Sequence, residues 1–205
     1  MSNFKTEQEA FWHGNFGDDY VERNKSSQLL SSNIALFSKI FSHTTNVNSV
    51  IEFGANIGLN LKAIKILMPE IDLSAIEINE KAAEILNAQG NINVFKQSIL
   101  EFTQDKTWDM TLIKGVLIHI NPEELQNVYQ KLYDHSNKYI CVAEYYNPTP
   151  VEINYRGHEG RLFKRDFAGE IMDKFPDLQL IDYGFAYHRD NNFSQDDCTW
   201  FLLKK

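Results

Sequence analysis

The feature that most constrains this chain is the run Val50-Ile51-Glu52-Phe53-Gly54-Ala55-Asn56-Ile57-Gly58-Leu59-Asn60, where a short apolar strand breaks at a glycine and a helical pattern starts at once. A strand that feeds a helix through a tight turn sets up a crossover, and the following strand then returns parallel to the first. The unit recurs. Residues 73–78 read as a second strand, and Asn79 caps a helix that runs through Lys81, Ala82, Ala83, Ile85 and Leu86 toward Gly90. Further strands are predicted at residues 92–95, 109–116 and 139–143. Asn121, Pro122 and Glu124 open a helix that runs to about Tyr133, and a last helix is predicted over residues 166–175. The first unit's helix spans residues 57–68, where Pro69 stops it. Ahead of that unit, residues 26–41 place Leu29, Leu30, Ile34, Leu36, Phe37 and Ile40 along one helix face.

Such alternation predicts a parallel sheet covered on both faces. The end breaks the rhythm: residues 178–187 and 198–203 both read as strands, and HRDNNFSQDD between them is too polar and turn-like for a crossover helix. An antiparallel hairpin is expected there. The lead before residue 26 reads as irregular and aromatic-rich, and residues 145–164 as a polar and aromatic loop.

The chain has 205 residues, 43% hydrophobic and 13% aromatic, enough apolar material for a core of one domain. Its net charge of −8 argues against nonspecific binding to nucleic acid, which needs a basic surface. No apolar run approaches the roughly 18 residues that cross a bilayer, and the opening MSNFKTEQEA lacks a basic stretch followed by an apolar run, so no membrane partner and a cytoplasmic location are expected. Cys141 and Cys198 sit in apolar stretches without a paired metal-ligand spacing; buried reduced thiols and no metal site are expected.

The chemistry concentrates in the first turn. A glycine turn at a strand's carboxyl end lets backbone approach a ligand, and the next helix begins with free amide groups. A dinucleotide pattern G-x-G-x-x-G begun at Gly54 would need glycine where Asn56 and Leu59 stand. The pattern acid-x-G-x-G-x-G keeps Glu52, Gly54 and Gly58 and loses only its middle glycine, to Asn56. Glu77 follows Gly58 by 19 residues, at the end of the second strand, where a carboxylate can accept from both hydroxyls of a ribose. Glu52 would repel a pyrophosphate but suits a cationic ligand end.

On these residues the chain resembles the class I S-adenosylmethionine-dependent methyltransferases. The resemblance implies an α/β, Rossmann-like fold with a seven-stranded, mostly parallel sheet and a C-terminal antiparallel hairpin. More narrowly, FWHGNFGDDYVERN, EFGANIGLN, KGVLIHINPEEL and EYYNPTPVEINYRGHEGRLFKRDFAGE resemble the pseudaminic acid biosynthesis-associated methylases, which implies a sugar or nucleotide-sugar acceptor. Residues 1–205 are then expected to form one methyltransferase domain, with residues 1–45 an N-terminal lid and helix and residues 46–205 the cofactor-binding and catalytic core.

Carried over position by position, the resemblance implies S-adenosylmethionine as cofactor, with Glu52, Gly54, Asn56 and Gly58 at its methionine end and Glu77 with Ile78 at the ribose and adenine. Ser98 and Ile99 stand where an acid and an apolar residue usually flank the adenine; either the Ser98 hydroxyl replaces the carboxylate or Glu101 reaches in. Lys114, Gly115 and Leu117 would pass under the sulfonium. Phe11, Trp12, Phe16, Tyr20 and Arg23 read either as an aromatic clamp or as a lid whose Tyr20 and Arg23 meet the methionine carboxylate.

His119 stands just past the fourth strand, either as a base or as an orienter of its loop, with His158 a second candidate base. Asn147 to Pro150 reads NPTP, but it follows the fifth strand and not the fourth, so it does not match the N-P-P-aromatic motif of amino-group methyltransferases. Tyr145, Tyr146, Asn147, Tyr155, Arg156 and Arg161, with His158, Lys164 and Arg165, read as a loop that grips a small anionic acceptor, or as a solvated loop paired with Glu152, Glu159 and Asp166. Methyl transfer to oxygen or nitrogen of such an acceptor is the leading expectation. A noncatalytic cofactor-binding protein on the same scaffold and a nicotinamide-linked oxidoreductase are the alternatives.

Overall fold

The computed structural model describes residues 4–23 and 26–205, which leaves Asn24 of the lead motif outside the described residues. The expected βα units form in sequence. After α3 (Ser27–Phe41), strands β1 (Ser49–Phe53), β2 (Asp72–Glu77), β3 (Ile92–Lys96), β4 (Trp108–Lys114) and β5 (Ser136–Glu144) are followed by α4 (Leu59–Leu67), α5 (Glu80–Ala88), no helix, α6 (Leu125–Asp134) and, beyond residues 145–164, α7 (Phe167–Lys174). Asn79 caps α5 as expected by accepting from Ala82, and Ser26 caps α3 by accepting from Gln28 and Leu29 and Asp166 caps α7 by accepting from Gly169.

The chain closes with β8 (Gln179–Ala186) and β9 (Cys198–Lys204), giving one seven-stranded sheet in the order β3-β2-β1-β4-β5-β9-β8. The first five strands in that order run parallel, and β9 lies antiparallel between β5 and β8. Strand alternation divides the core. Ile51 and Phe53 pack with α6 and α7 on one face, and Val50 with α3, α4 and α5 on the other. Both cysteines are buried and unpaired in the second layer.

Two segments differ from the expectation. The aromatic lead is not irregular: it forms α1 (Glu7–His13) and α2 (Asn15–Arg23). Both are too short for apolar periodicity to stand out, and α1 is held by a capping box in which Thr6 accepts from the Glu9 amide and Glu9 accepts from the Thr6 amide. Within residues 145–164, β6 (Val151–Tyr155) and β7 (His158–Lys164) form a separate hairpin. Its turn places Arg156 and Gly157 at φ 53° and 87° between the paired Tyr155 and His158. Two residues at positive φ are the preferred two-residue hairpin turn, and arginine in place of the usual asparagine or aspartate hides it.

Candidate active site

The carboxyl ends of β1, β2 and β4 open into a cavity of about 330 Å³, a size usual for small-molecule sites. Helices α1 and α2 cover it, and the β8–β9 loop closes one side with His188, Ser194, Gln195 and Asp196. Gln195 is buried and donates to Asn33 of α3 at 2.8 Å, which ties that loop to the wall.

The turn after β1 is shaped by positive φ angles. Gly54 sits at φ 79°, and a Cβ there would lie 2.7 Å from Val116 Cγ2. Asn56 replaces the motif's middle glycine and still adopts φ 48°, a conformation asparagine tolerates better than most residues. The Asn56 amide donates to Glu77 Oε2 at 2.6 Å, and the Asn79 amide donates to Glu77 Oε1 at 2.8 Å. Burial pushes the Glu77 carboxyl up, against those two hydrogen bonds that favour its ionised form. Gly54, Asn56, Glu77 and Ile78 all line the cavity.

Glu52 does not. It shares the Val50 face, is fully buried, and accepts from Asn60 Nδ2 at 2.5 Å. Burial pushes its carboxyl up to about 8. Asn60, in the first turn of α4, is the residue that reaches the wall, and its Oδ1 is buried without a partner among the described residues. Gly58 is also off the wall. At φ 78° it starts α4, and a Cβ there would lie 2.5 Å from Leu86 of α5.

Ser98 and Ile99 line the far end of the cavity. The expectation that Glu101 reaches in does not hold. Glu101 is exposed, and the carboxyl that meets Ser98 comes from Glu9 of α1, which accepts the Ser98 hydroxyl.

After β4, Lys114, Gly115 and Val116 line the cavity, whereas Leu117 is fully buried in the core. Buried Glu144 holds this turn by accepting the amides of Val116 and Leu117, each at 2.9 Å. His119 follows in a 3-10 turn (Leu117–His119), is 8% exposed, and lines the cavity. Its Nδ1 lies 2.6 Å from the carbonyl oxygen of Arg161. Burial drives its pKa down to about 4, with that hydrogen bond acting in the opposite direction. Trp12 and Tyr155 flank the imidazole at 4.6 and 4.9 Å.

Of the lead, Trp12 and Tyr20 line the cavity and pack edge-on at 5.2 Å. Arg23 is exposed and off the wall, its guanidinium over the rings of Phe16 and Tyr20. The basic segment also stays off the wall. Arg161 pairs with Glu7 and Arg165 with Glu170, while Arg156 lies over Tyr155 and Lys164 over Tyr145. His158 is exposed against Phe11 and Phe16 of the covering helices and does not line the cavity, which removes it as a second base. Tyr146 is exposed beside Phe201, and Asn147 caps its own loop by donating to the Thr149 carbonyl at 2.6 Å. Tyr145 is half-buried behind cavity-lining Asp196; burial first, then that acid, pushes its phenol up.

Among the contributors that escape the sequence reading are Glu9, Asn60 and the 188–196 loop. The first two had signals, since Thr6-x-x-Glu9 is a capping-box pattern and Asn60 ends the turn motif itself. The loop had none beyond polarity.

No family model and no curated protein matches the chain. Solved structures do match in shape. The magnesium protoporphyrin IX methyltransferase ChlM from Synechocystis PCC 6803, with bound SAM, superposes with a TM-score of 0.68 at 12% identity over 100% of both chains. The plantazolicin methyltransferase BpumL in complex with SAH gives 0.66 at 15% identity, over 97% of this chain and 93% of that one. The glycopeptide N-methyltransferase MtfA gives 0.62 at 11% identity, over 85% and 94%. With the strand order and the terminal hairpin, these likenesses show that the chain has the Rossmann-like fold of the class I methyltransferases.

Proposed function

We propose that this chain is an S-adenosylmethionine-dependent methyltransferase that acts on oxygen or nitrogen of a small acceptor. The observation that carries the reading is Glu77, a buried carboxyl whose two oxygens are each oriented by a main-chain amide at the cavity wall. That arrangement suits the vicinal hydroxyls of a ribose, and the fold gives the cofactor class its prior. Groups without a partner among the described residues fit the same ligand. Asn60 Oδ1, backed by Glu52, is an acceptor for an ammonium, and Trp12 Nε1 is a buried donor on the cover.

When bound, the cofactor supplies an electrophilic methyl group on a sulfonium that already carries its leaving group. The remaining work falls to the chain's own residues: alignment, exclusion of water, and removal of a proton where the acceptor is a hydroxyl. The Arg161 carbonyl can only accept, so His119 Nδ1 carries the ring proton and Nε2 keeps the lone pair. Burial, which drives its pKa down to about 4, keeps the ring neutral at physiological pH, so Nε2 is free to act as a base. An amine acceptor needs only its own neutral form. Helices α1 and α2 act as the lid, and residues 46–205 as the core they close upon.

Sugar acids and nucleotide sugars of the pseudaminic acid type are the first acceptors to assay, on sequence resemblance alone. The cations between Arg156 and Arg165 lend that choice no support, since local partners occupy them. Transfer of tritiated methyl groups to nucleotide sugars, sugar acids and a small-molecule cell extract tests the proposal. Incorporation supports it; cofactor binding without incorporation into any acceptor favours the noncatalytic alternative.

A further inference from the structure

We infer that Glu9, on the covering helix α1, is the residue that reads the base of the bound nucleoside, by accepting a hydrogen bond from an exocyclic amino group. The inference rests on the proposed adenosyl cofactor and follows from where the cavity's parts lie. Glu77 marks the ribose. On one side of it, the turns after β1 and β4 present Gly54, Asn60, Lys114 and His119, which suits the 5′ side of the nucleoside, where chemistry occurs. The base then lies on the opposite side, toward β3, where Ser98 and Ile99 meet α1.

At that end the hydrogen bonds fix which atoms are donors. Ser98 Oγ accepts the Leu100 amide at 2.9 Å, so its hydroxyl proton goes to Glu9. Glu9 Oε2 accepts the amides of Lys5 and Thr6 at 2.8 and 3.0 Å, which pins the carboxylate from the other side. Oε2 is thus filled by two amides and Oε1 by one hydroxyl, and Glu9 is 7% exposed yet lines the cavity, so one acceptor position, on Oε1, is left for a ligand. Gln8 beside it is 9% exposed; its Nε2 donates to the Gly160 carbonyl at 2.9 Å, and its Oε1 is buried without a partner among the described residues. Gln8 is thereby tied to the hairpin beside Arg161, on the His119 side, and the acceptor at the base end is Glu9. A 6-amino purine satisfies it, whereas a 6-oxo purine sets oxygen against oxygen.

One consequence is that the base-reading group belongs to the cover and not to the strand that forms the floor. A nucleoside with the right base therefore fastens α1 over the cavity, and the wrong base leaves it unfastened.

Titration of S-adenosylhomocysteine and its 6-oxo analogue S-inosylhomocysteine into the full chain and into Glu9→Gln tests this. Glutamine at this position can keep the capping box through its oxygen, which turns its amide NH₂ toward the base. The native chain is expected to prefer the adenosyl compound by about 30-fold, within the range for one charge-assisted hydrogen bond. Glu9→Gln should weaken the adenosyl compound about tenfold and bind the inosyl compound as well as or better than the native chain does. Ser98→Ala, which frees the carboxylate but leaves it in place, should weaken the adenosyl compound only about threefold and keep the order of preference. Equal weakening of both compounds by Glu9→Gln, or no change in either, overturns the assignment while leaving the cofactor reading intact. A native chain that binds neither compound overturns both.

Discussion

The Nδ1 atom of His119 lies 2.6 Å from the carbonyl oxygen of Arg161, so a residue expected to act through its guanidinium acts through its backbone. This contact explains why β6 and β7 matter to the site although none of their cations lines it. The hairpin holds the imidazole in one tautomer. His119→Ala is expected to lower transfer to a hydroxyl acceptor by about 100-fold or more, with affinity for S-adenosylhomocysteine within about threefold of native. His119→Asn keeps a donor for the Arg161 carbonyl but no base, and should be as inactive while more stable than the alanine variant. Near-normal turnover in either variant rejects His119 as base. The pH profile offers a second check: with the imidazole held down to about 4, kcat/KM should stay level from pH 8 to about pH 5.5 instead of falling near 6.5.

Glu52 makes stability depend on pH in an unusual direction. Its folded pKa of about 8 lies above the ordinary carboxyl value of 4.5, so between those values the folded chain holds a proton that the unfolded chain has lost. Stability from this group is full below pH 4.5 and is lost as pH rises through 8. Glu144, raised to about 7 by burial, acts with the same sign, and His119 acts oppositely between 4 and 6.5. Glu52→Gln removes one contributor and leaves the others. Urea unfolding from pH 5.5 to 7.5 should show a slope against pH that differs between native and variant by up to about 1.4 kcal/mol per pH unit. Identical slopes contradict the buried, protonated state of Glu52.

The substituted motif glycine yields a test of the turn. Asn56 at φ 48° can become glycine without strain, and Asn56→Gly should change stability by less than about 0.5 kcal/mol. A β-branched residue cannot take this conformation cheaply, so Asn56→Val should cost about 1–2 kcal/mol and also weaken cofactor binding by displacing the amide that orients Glu77. Thermal unfolding with and without S-adenosylhomocysteine separates the two effects.

The covering helices are joined to the core through Asn79, whose Nδ2 donates to Asp18 Oδ1 at 2.9 Å and to the Trp12 carbonyl at 3.3 Å. Deletion of residues 1–22 should leave a cooperatively unfolding sheet but lower affinity for S-adenosylhomocysteine at least about 30-fold, a loss of roughly 2 kcal/mol. Unchanged affinity would mean that α1 and α2 are only a clamp on the fold.

The sheet was legible in the sequence because each of its units is punctuated locally: Gly54 and Gly58 at the first turn, Asn79 at a cap, Asn121 and Pro122 at a helix start. Glu77 was legible by spacing alone. What escaped depended on contacts distant in sequence. Nothing local to Ser98 announces that its acid comes from Glu9, 89 residues away, or that Asn60 stands between Glu52 and the cavity. The basic segment misled for a related reason. A cluster of cations reads as a grip on an anion until the fold supplies Glu7 to Arg161 and Glu170 to Arg165.

The central claim is that Glu77 and the turn after β1 hold the nucleoside of S-adenosylmethionine. Calorimetric titration of the native chain with S-adenosylhomocysteine and, separately, with NAD tests it most directly, with Glu77→Ala as the control. One S-adenosylhomocysteine bound per chain is predicted, at about 10 μM or tighter, with affinity lost at least tenfold in Glu77→Ala and no measurable heat from NAD. Tighter binding of NAD, or S-adenosylhomocysteine affinity indifferent to Glu77, would contradict the account.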